Sequence, residues 1–396
     1  MLTWAHYLGV FAVALAVTAL LVPVVRSLAI KHDIVDKPGP RRVNRKPIPR
    51  MGGLAMYGGL LAAIFVECLF EALGLWYGPV LGSGTLNMQL IGVIAGITFI
   101  VAVGVLDDIY SLKPGVKFLG QVLAACIIAC TGTLIMRFHM PFSSVIISFG
   151  MWAYPITVLY LVCFINVINL IDGLDGLAAG ISGIASLTLF VIVLSLYRTD
   201  AALLAIMTVG VCIAFLFYNF HPASIFMGDT GSMMLGLLLG TVSLLGAARF
   251  ASITIMLVPI VTALVPIMDT LAAIVRRARK HESIVKADAG HIHHRLLLRG
   301  YSQRKVVLLV YLWTAVLSIG AIIMWEMGGL VKYIVLTVLL AFSALVVWRL
   351  GLFGPIRTRH GRPDVVYESH EERRARRALA AQKKAAHTPH GGSRGA

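Results

Sequence analysis

Residues 89–110 read QLIGVIAGITFIVAVGVLDDIY: eighteen residues without a formal charge, then two adjacent aspartates. A helix that crosses about 30 Å of hydrocarbon needs roughly 20 apolar residues, so this stretch predicts a membrane span. Asp107 and Asp108 close it. Carboxylates at a span end are costly to place and mark functional sites more often than lipid-facing surface.

Further stretches of the same kind lie on either side. Eleven spans are predicted: 4–30, 53–74, 89–106, 116–136, 151–168, 177–197, 201–219, 231–248, 251–274, 306–327 and 330–350. The first lacks a basic leader and a small-residue cleavage site, so it reads as a retained span. Pro155, Pro259 and Pro266 fall inside spans, where neighbouring helices can satisfy the freed carbonyls. Across 396 residues the chain is 59% hydrophobic and 13% charged, and its mean hydropathy is +0.88. Soluble domains run at about 45–50% apolar and about 25% charged. Extended disorder is excluded, and so is a soluble nucleic-acid binder, although 34 Lys+Arg against 18 Asp+Glu leave a net charge of +16.

The connections alternate in charge. Seven Lys/Arg lie in 31–52, nine in 275–305 and ten beyond 350, while the opposite set holds Arg137, Arg198, Arg249 and little else. The positive-inside rule then places the N-terminus outside, the C-terminus in the cytoplasm and the basic loops on the cytoplasmic face. The expected fold is an all-α polytopic integral membrane protein with about eleven transmembrane helices. A transmembrane domain is expected over 1–354, with a basic, partly disordered cytoplasmic tail over 355–396. Cys68, Cys126, Cys130, Cys163 and Cys212 all fall in spans, which suits small apolar core residues rather than a disulfide framework or metal cluster.

Asp107, Asp108, Asp172, Asp175, Asp229 and Asp269 all fall on or near the cytoplasmic side in this topology. Asp172 and Asp175 belong to NLIDGLDGLAAG, Asp229 to FMGDTGS, and Asp269 to PIMDT. Without local basic partners such a group should repel itself unless a cation binds. Asp175 and Asp229 directly precede helical spans, so an N-cap role is the alternative for each. Asp107 and Asp108 sit at a helix C-terminus, where the macrodipole disfavours negative charge, and they need a metal or cationic partner. Glu67 and Glu71 lie four residues apart toward the outer side and suit a bundle-facing polar contact.

The loop 276–305 carries His291, His293, His294 and Arg295 in HIHHR. Zinc is one reading of clustered histidines; donors for a phosphate-rich ligand suit the basic surroundings better; a solvated basic loop is the third. NRKPIPRMGG in the first loop adds cations on the same face. Mg²⁺ takes one or two carboxylates plus substrate phosphate oxygens, and phosphoryl transfer depends chiefly on positioning and charge neutralisation. Together these residues point to an intramembrane enzyme acting on a phosphorylated substrate at the cytoplasmic face.

PRMGG, DDIY followed by KFLGQ, NLIDGLDG, FMGDTG and HIHHR resemble the motifs of the polyprenyl-phosphate N-acetylhexosamine-1-phosphate transferases. The likeness runs from about residue 31 to 305. The HIHHR form is similar to the branch that handles UDP-GlcNAc and is related to the phospho-MurNAc-pentapeptide transferases. The resemblance implies transfer of an N-acetylhexosamine-1-phosphate, chiefly GlcNAc-1-phosphate, from a UDP-sugar to undecaprenyl or decaprenyl phosphate. The products are a polyprenyl-diphosphate-sugar and UMP, in the first membrane step of cell-envelope polysaccharide synthesis. It implies a multi-pass protein of the bacterial cytoplasmic (inner) membrane, Mg²⁺ or Mn²⁺ as cofactor, no nucleic-acid partner, and a homodimer by analogy.

By residue, the resemblance places Asp229 on the metal and Asp107 and Asp108 beside the metal and lipid phosphate, with all three as catalytic candidates and Asp108 a second metal ligand. Asn169, Asp172 and Asp175 fall to the nucleotide pocket, Phe226 to stacking on uracil, and Asn219 to its vicinity. Lys117, His291, His293, His294 and Arg295 would hold phosphates. Asp269 matches a family motif without an assigned role. Direct attack by the lipid phosphate and a covalent phospho-aspartyl route both remain open. The rival class is an ion-coupled transporter of phosphorylated solutes, which also places acids in spans. Acids at one face rather than the midplane, and no visible repeat, speak against it.

Overall fold

The computed structural model describes residues 4–37, 47–76, 78–80, 87–139, 145–247, 295–297, 300–327 and 329–350, with isolated positions between 260 and 275. The chain is a multi-pass helical membrane protein. Among the described residues, nine helices are long and apolar enough to cross a membrane, and a tenth is shorter. These ten match ten of the eleven expected spans. The remaining stretch, 251–274, falls mostly outside the described residues, as do Asp269, His291, His293, His294 and the tail 355–396.

The helices are α1 (Trp4–Lys31), α2 (Gly52–Ala72), α3 (Met88–Tyr110), α4 (Pro114–Cys130), α5 (Ala153–Ile171), α6 (Leu177–Ser195), α7 (Thr199–Asn219), α8 (Gly228–Ala247), α9 (Gln303–Glu326) and α10 (Val331–Leu350). Two short antiparallel ladders were not expected. Val35–Asp36 (β1) pairs with Ile48–Pro49 (β2), and Arg137–His139 (β3) with Ile146–Ser148 (β4). Helix α4 is also shorter than the expected 116–136. Pro114 opens it at a first-turn position, where the missing N–H is harmless. It ends at Cys130 because Gly132 turns left-handed, with φ +95°. The apolar residues that follow then lead into β3 rather than a further helical turn.

Helix α8 is the hub. It packs against α2, α3, α5, α6 and α7 and is almost wholly buried, whereas α10 is mostly exposed. The α8 sequence allows this because glycine meets glycine at the α2 crossing. A Cβ on Gly53 would lie 2.1 Å from the Gly231 nitrogen. Small residues that let backbones touch are how membrane helices associate where no water drives them together.

At the other end of the bundle α1 and α2 are pinned by a buried polar pair. His6 Nε2 lies 2.5 Å from Glu67 Oε2, and the Trp76 ring stacks on the imidazole at 3.9 Å between centroids. The bundle-facing contact expected for Glu67 is therefore present, with His6 as its partner.

Successive helices alternate in direction. The starts of α2, α4, α6 and α8 and the ends of α3, α5 and α7 meet at one end of the bundle, joined by the bonds described next.

Candidate active site

The floor of the site is a backbone clamp. Phe226 N–H donates to Pro49 O at 2.8 Å, and the Gly52 and Gly53 N–H groups donate to Phe226 O and Met227 O, each at 2.9 Å. Met51 turns left-handed (φ +74°) to bring both glycine amides round. PRMGG and FMGDTG, far apart in sequence, thus form one structural unit.

Among the described residues, Asp108 pairs with no basic side chain. Its Oδ1 accepts Asp229 N–H at 2.9 Å, and its Oδ2 accepts Thr230 N–H at 3.1 Å and Thr230 Oγ1–H at 2.6 Å. Asp108, at the end of α3, therefore caps the N-terminus of α8 from outside, where the helix dipole welcomes an anion. Gly228 makes room for this. It has φ +70°, and a Cβ there would lie 2.4 Å from Asp108 Oδ2. The compensation expected for the aspartate pair thus comes in two forms: helix amides for Asp108, and an ammonium for Asp107.

That ammonium is Lys117. It lies 2.9 Å from Asp107 Oδ2 and 2.5 Å from Asp229 Oδ1, and it reaches Asn169 Oδ1 at 3.4 Å. Asp107 Oδ1 accepts Leu112 N–H at 2.8 Å. Asn169 donates to Asp229 Oδ1 and, at 2.8 Å, to Ser232 Oγ. So α3, α4, α5 and α8 all bring polar side chains to Asp229 and its neighbours. The expectation that these acids lack basic partners is corrected: Lys117, 112 residues from Asp229, is brought between two of them.

A second group adjoins the first. Asp175 was a candidate cap of α6, but Gly176 occupies that position with no side-chain cap bond. Asp175 Oδ2 instead accepts from His221 Nδ1 at 2.7 Å and from Ala223 N–H at 3.1 Å. Asp229 likewise lies inside the first turn of α8 rather than capping it. Asn219 is buried and bridges two loops, accepting Gly176 N–H and donating to Ile225 O, both at 2.9 Å. Asp172 follows α5. Burial, then the carboxylates of Asp229, Asp108 and Asp175, push its pKa up to about 8 against the pull of Arg50. Its carboxyl therefore keeps its proton at neutral pH and can donate a hydrogen bond. Phe226 is half-buried beside the clamp, and Arg295 is buried in a short helical stretch.

Asn219→Ala is expected to cost roughly 2–4 kcal/mol of stability, because it orphans a buried N–H and a buried C=O. A lower thermal midpoint in detergent would show it, whereas an unchanged midpoint would mean that the two loops hold without the bridge.

The structure thus gathers Asp107, Asp108, Lys117, Asn169 and Asp229 directly, and sets Asp172, Asp175, Asn219 and Phe226 around them. It adds residues that sequence reading passed over. Thr230 and Ser232 stand inside the quoted FMGDTGS motif, and His221 stands two positions after Asn219. Neighbourhood in the motifs was the available signal.

What this arrangement can do chemically is bind cations and phosphates: carboxylates face one ammonium, ringed by amide donors and a protonated acid. The profile of glycosyl transferase family 4 matches residues 90–247, the segment that carries all of these residues from Asp107 to Asp229. A probable undecaprenyl-phosphate N-acetylglucosaminyl 1-phosphate transferase of Bacillus subtilis is 38% identical over 342 residues, covering 86% of this chain and 91% of its own. A decaprenyl-phosphate N-acetylglucosaminephosphotransferase of Mycolicibacterium smegmatis is 36% identical over 318 residues, covering 75% and 77%. A phospho-N-acetylmuramoyl-pentapeptide-transferase of Desulforamulus reducens is 30% identical over 326 residues, covering 80% and 94%. With likeness of that extent running through the whole acidic site, the chain belongs to the polyprenyl-phosphate N-acetylhexosamine-1-phosphate transferase family.

Proposed function

We propose that the protein transfers GlcNAc-1-phosphate from UDP-GlcNAc to undecaprenyl or decaprenyl phosphate, giving a polyprenyl-diphosphate-GlcNAc and UMP. The observation that carries the reading is the interlocked Asp107–Lys117–Asp229–Asn169 group, in a chain similar along most of its length to relatives named for this chemistry. The site faces the cytoplasm of a bacterial inner membrane in this reading. In the sequence, basic residues concentrate in the connections 31–52 and 275–305, which the positive-inside rule assigns to the cytoplasm.

The donor set suits Mg²⁺. Asp229 Oδ1 takes Lys117 and Asn169, and its carboxylate is the hard oxygen donor that such a cation prefers. Mg²⁺ prefers one or two carboxylates with water and phosphate oxygens making up the rest, so a full protein cage is not needed. Asp229 would hold it, with Asp108 beside it through lone pairs that the α8 amides do not use. Mg²⁺, or Mn²⁺ in its place, would neutralise charge on the diphosphate.

The chain's own residues do the remainder. Asp108 fixes the first turn of α8 and so the direction of Asp229. Lys117 pairs with both Asp107 and Asp229 and offsets their charge, and it stands where incoming phosphates would meet it. Asp107 orients the lipid phosphate. That group has its second pKa near 6 and needs little base catalysis before its oxygen attacks the β-phosphorus, the bond to the UMP oxygen breaking as the new one forms. Asp172, Asp175 and Asn169 frame the nucleotide, Phe226 offers a ring face for uracil, and His291, His293, His294 and Arg295 supply phosphate donors from the late loop.

Purified protein with polyprenyl phosphate, Mg²⁺ and radiolabelled UDP-GlcNAc is expected to give a labelled lipid and UMP. Failure with every UDP-N-acetylhexosamine, together with solute uptake by proteoliposomes, would favour the transporter instead. Chelation by EDTA is expected to bring turnover to background and added Mg²⁺ to restore it. Turnover indifferent to EDTA would remove the metal. A phospho-aspartyl enzyme isolated from UDP-sugar alone would replace direct attack by the covalent route.

A further inference from the structure

Arg50 stands in the clamp that floors the site, and its side chain has no role in the reaction proposed above. Its backbone N–H donates to Ile34 O at 3.1 Å, tying it to the end of α1, and the residues either side are bonded to Phe226 through Pro49 O and the Gly52 N–H. This fixes the Arg50 Cα beside the proposed uracil platform. The guanidinium donates through one Nη to Asp36 Oδ1, and the side chain remains 29% exposed. A guanidinium carries five N–H donors in a rigid fork, so most of the fork is left for a ligand. Its positive charge also acts on the Asp172 carboxyl, pulling its pKa down.

The one ammonium among the described acids is already engaged: Lys117 meets Asp107, Asp229 and Asn169. A nucleoside diphosphate entering the site brings two phosphates, and a planar fork matches phosphate oxygens in pairs.

We propose that Arg50 is a donor-binding residue that grips the β-phosphate of the nucleotide diphosphate, the phosphate that carries the sugar. This rests on the transferase reading. Arg50 then distinguishes the sugar-bearing donor from the UMP product, which has no β-phosphate, and so favours product release.

The test uses the full-length enzyme in detergent with Arg50→Gln, Arg50→Lys and Asp36→Asn. The wild type is assayed first: absence of lipid product there sinks the transferase reading, not this one. Given wild-type turnover, Arg50→Gln is expected to raise KM for UDP-GlcNAc about 10- to 100-fold, with KM for polyprenyl phosphate near its original value. Inhibition by UDP should weaken by a similar factor, while inhibition by UMP changes less than about threefold. Arg50→Lys keeps the charge but loses the fork, and should fall between the two. Asp36→Asn removes the ion pair without touching the fork, so it should keep the donor KM within about threefold. An unchanged donor KM in Arg50→Gln overturns the proposal. So does equal weakening of UDP and UMP, or an Asp36→Asn variant that reproduces the Arg50→Gln profile; the last would make Arg50 only a strut for β1 and β2.

Discussion

Asp229→Asn is expected to lower kcat by roughly 100- to 1,000-fold while the protein inserts and melts like the wild type. The amide keeps the shape and can still accept from Asn169, but it removes the charge that Lys117 and a cation share. Because Asp229 lies inside the first turn of α8 rather than capping it, little of the fold depends on its charge. Asp108→Asn should behave differently. Both of its oxygens accept from the α8 N-terminus, and an amide NH₂ would point donors at donors. That variant should lose activity and also melt earlier, by about 1–3 kcal/mol of stability. Parallel rates and melting curves separate a chemical carboxylate from a supporting one. A near-normal rate for Asp229→Asn would withdraw its metal assignment, and a wild-type melting point for Asp108→Asn would withdraw the cap.

The second large effect is expected from a single methyl group. Gly53→Ala places a Cβ 2.1 Å from the Gly231 nitrogen and 2.3 Å from its Cα. Both neighbours are backbone, so no rotamer change relieves the clash, and α2 and α8 must separate. Overpacking of this kind costs about 1–3 kcal/mol, sometimes more. Here the separation also pulls Gly53 N–H away from Met227 O, and with it the turn that leads to Asp229. Gly53→Ala should therefore lower the melting temperature and turnover together. Gly115→Ala is the control, since its Cβ would meet nothing within 4 Å. Equal stability of the two variants would mean that the α2–α8 crossing is looser than described.

The spans were legible because uncharged apolar runs near twenty residues long have few other uses. That several acids gather at one end of the bundle was legible because a chain with 18 acidic residues places so many at span ends. Which acid meets which partner was not legible. Asp108 reaches Thr230 across 122 positions and Lys117 reaches Asp229 across 112. Such meetings depend on the rotation of each helix about its axis, which an apolar span facing lipid and protein alike does not encode. Asp175 shows the same limit. Its place before α6 suggested a cap, yet the neighbouring loop supplied His221 and Ala223 as better partners. The β1–β2 ladder escaped because two-residue strands carry no alternation to read, and the early end of α4 rested on the one backbone angle of Gly132.

The His6–Glu67 pair bears on how the protein is made. Glu67 lies in the outer part of α2, five residues before its end, with 1% of its surface exposed, and an acid within a span opposes partition into lipid. His6 precedes it in synthesis by 61 residues. The partner that offsets this opposition is thus already in place when α2 emerges, so the two helices are suited to enter the bilayer as a hairpin, each making the other soluble in lipid.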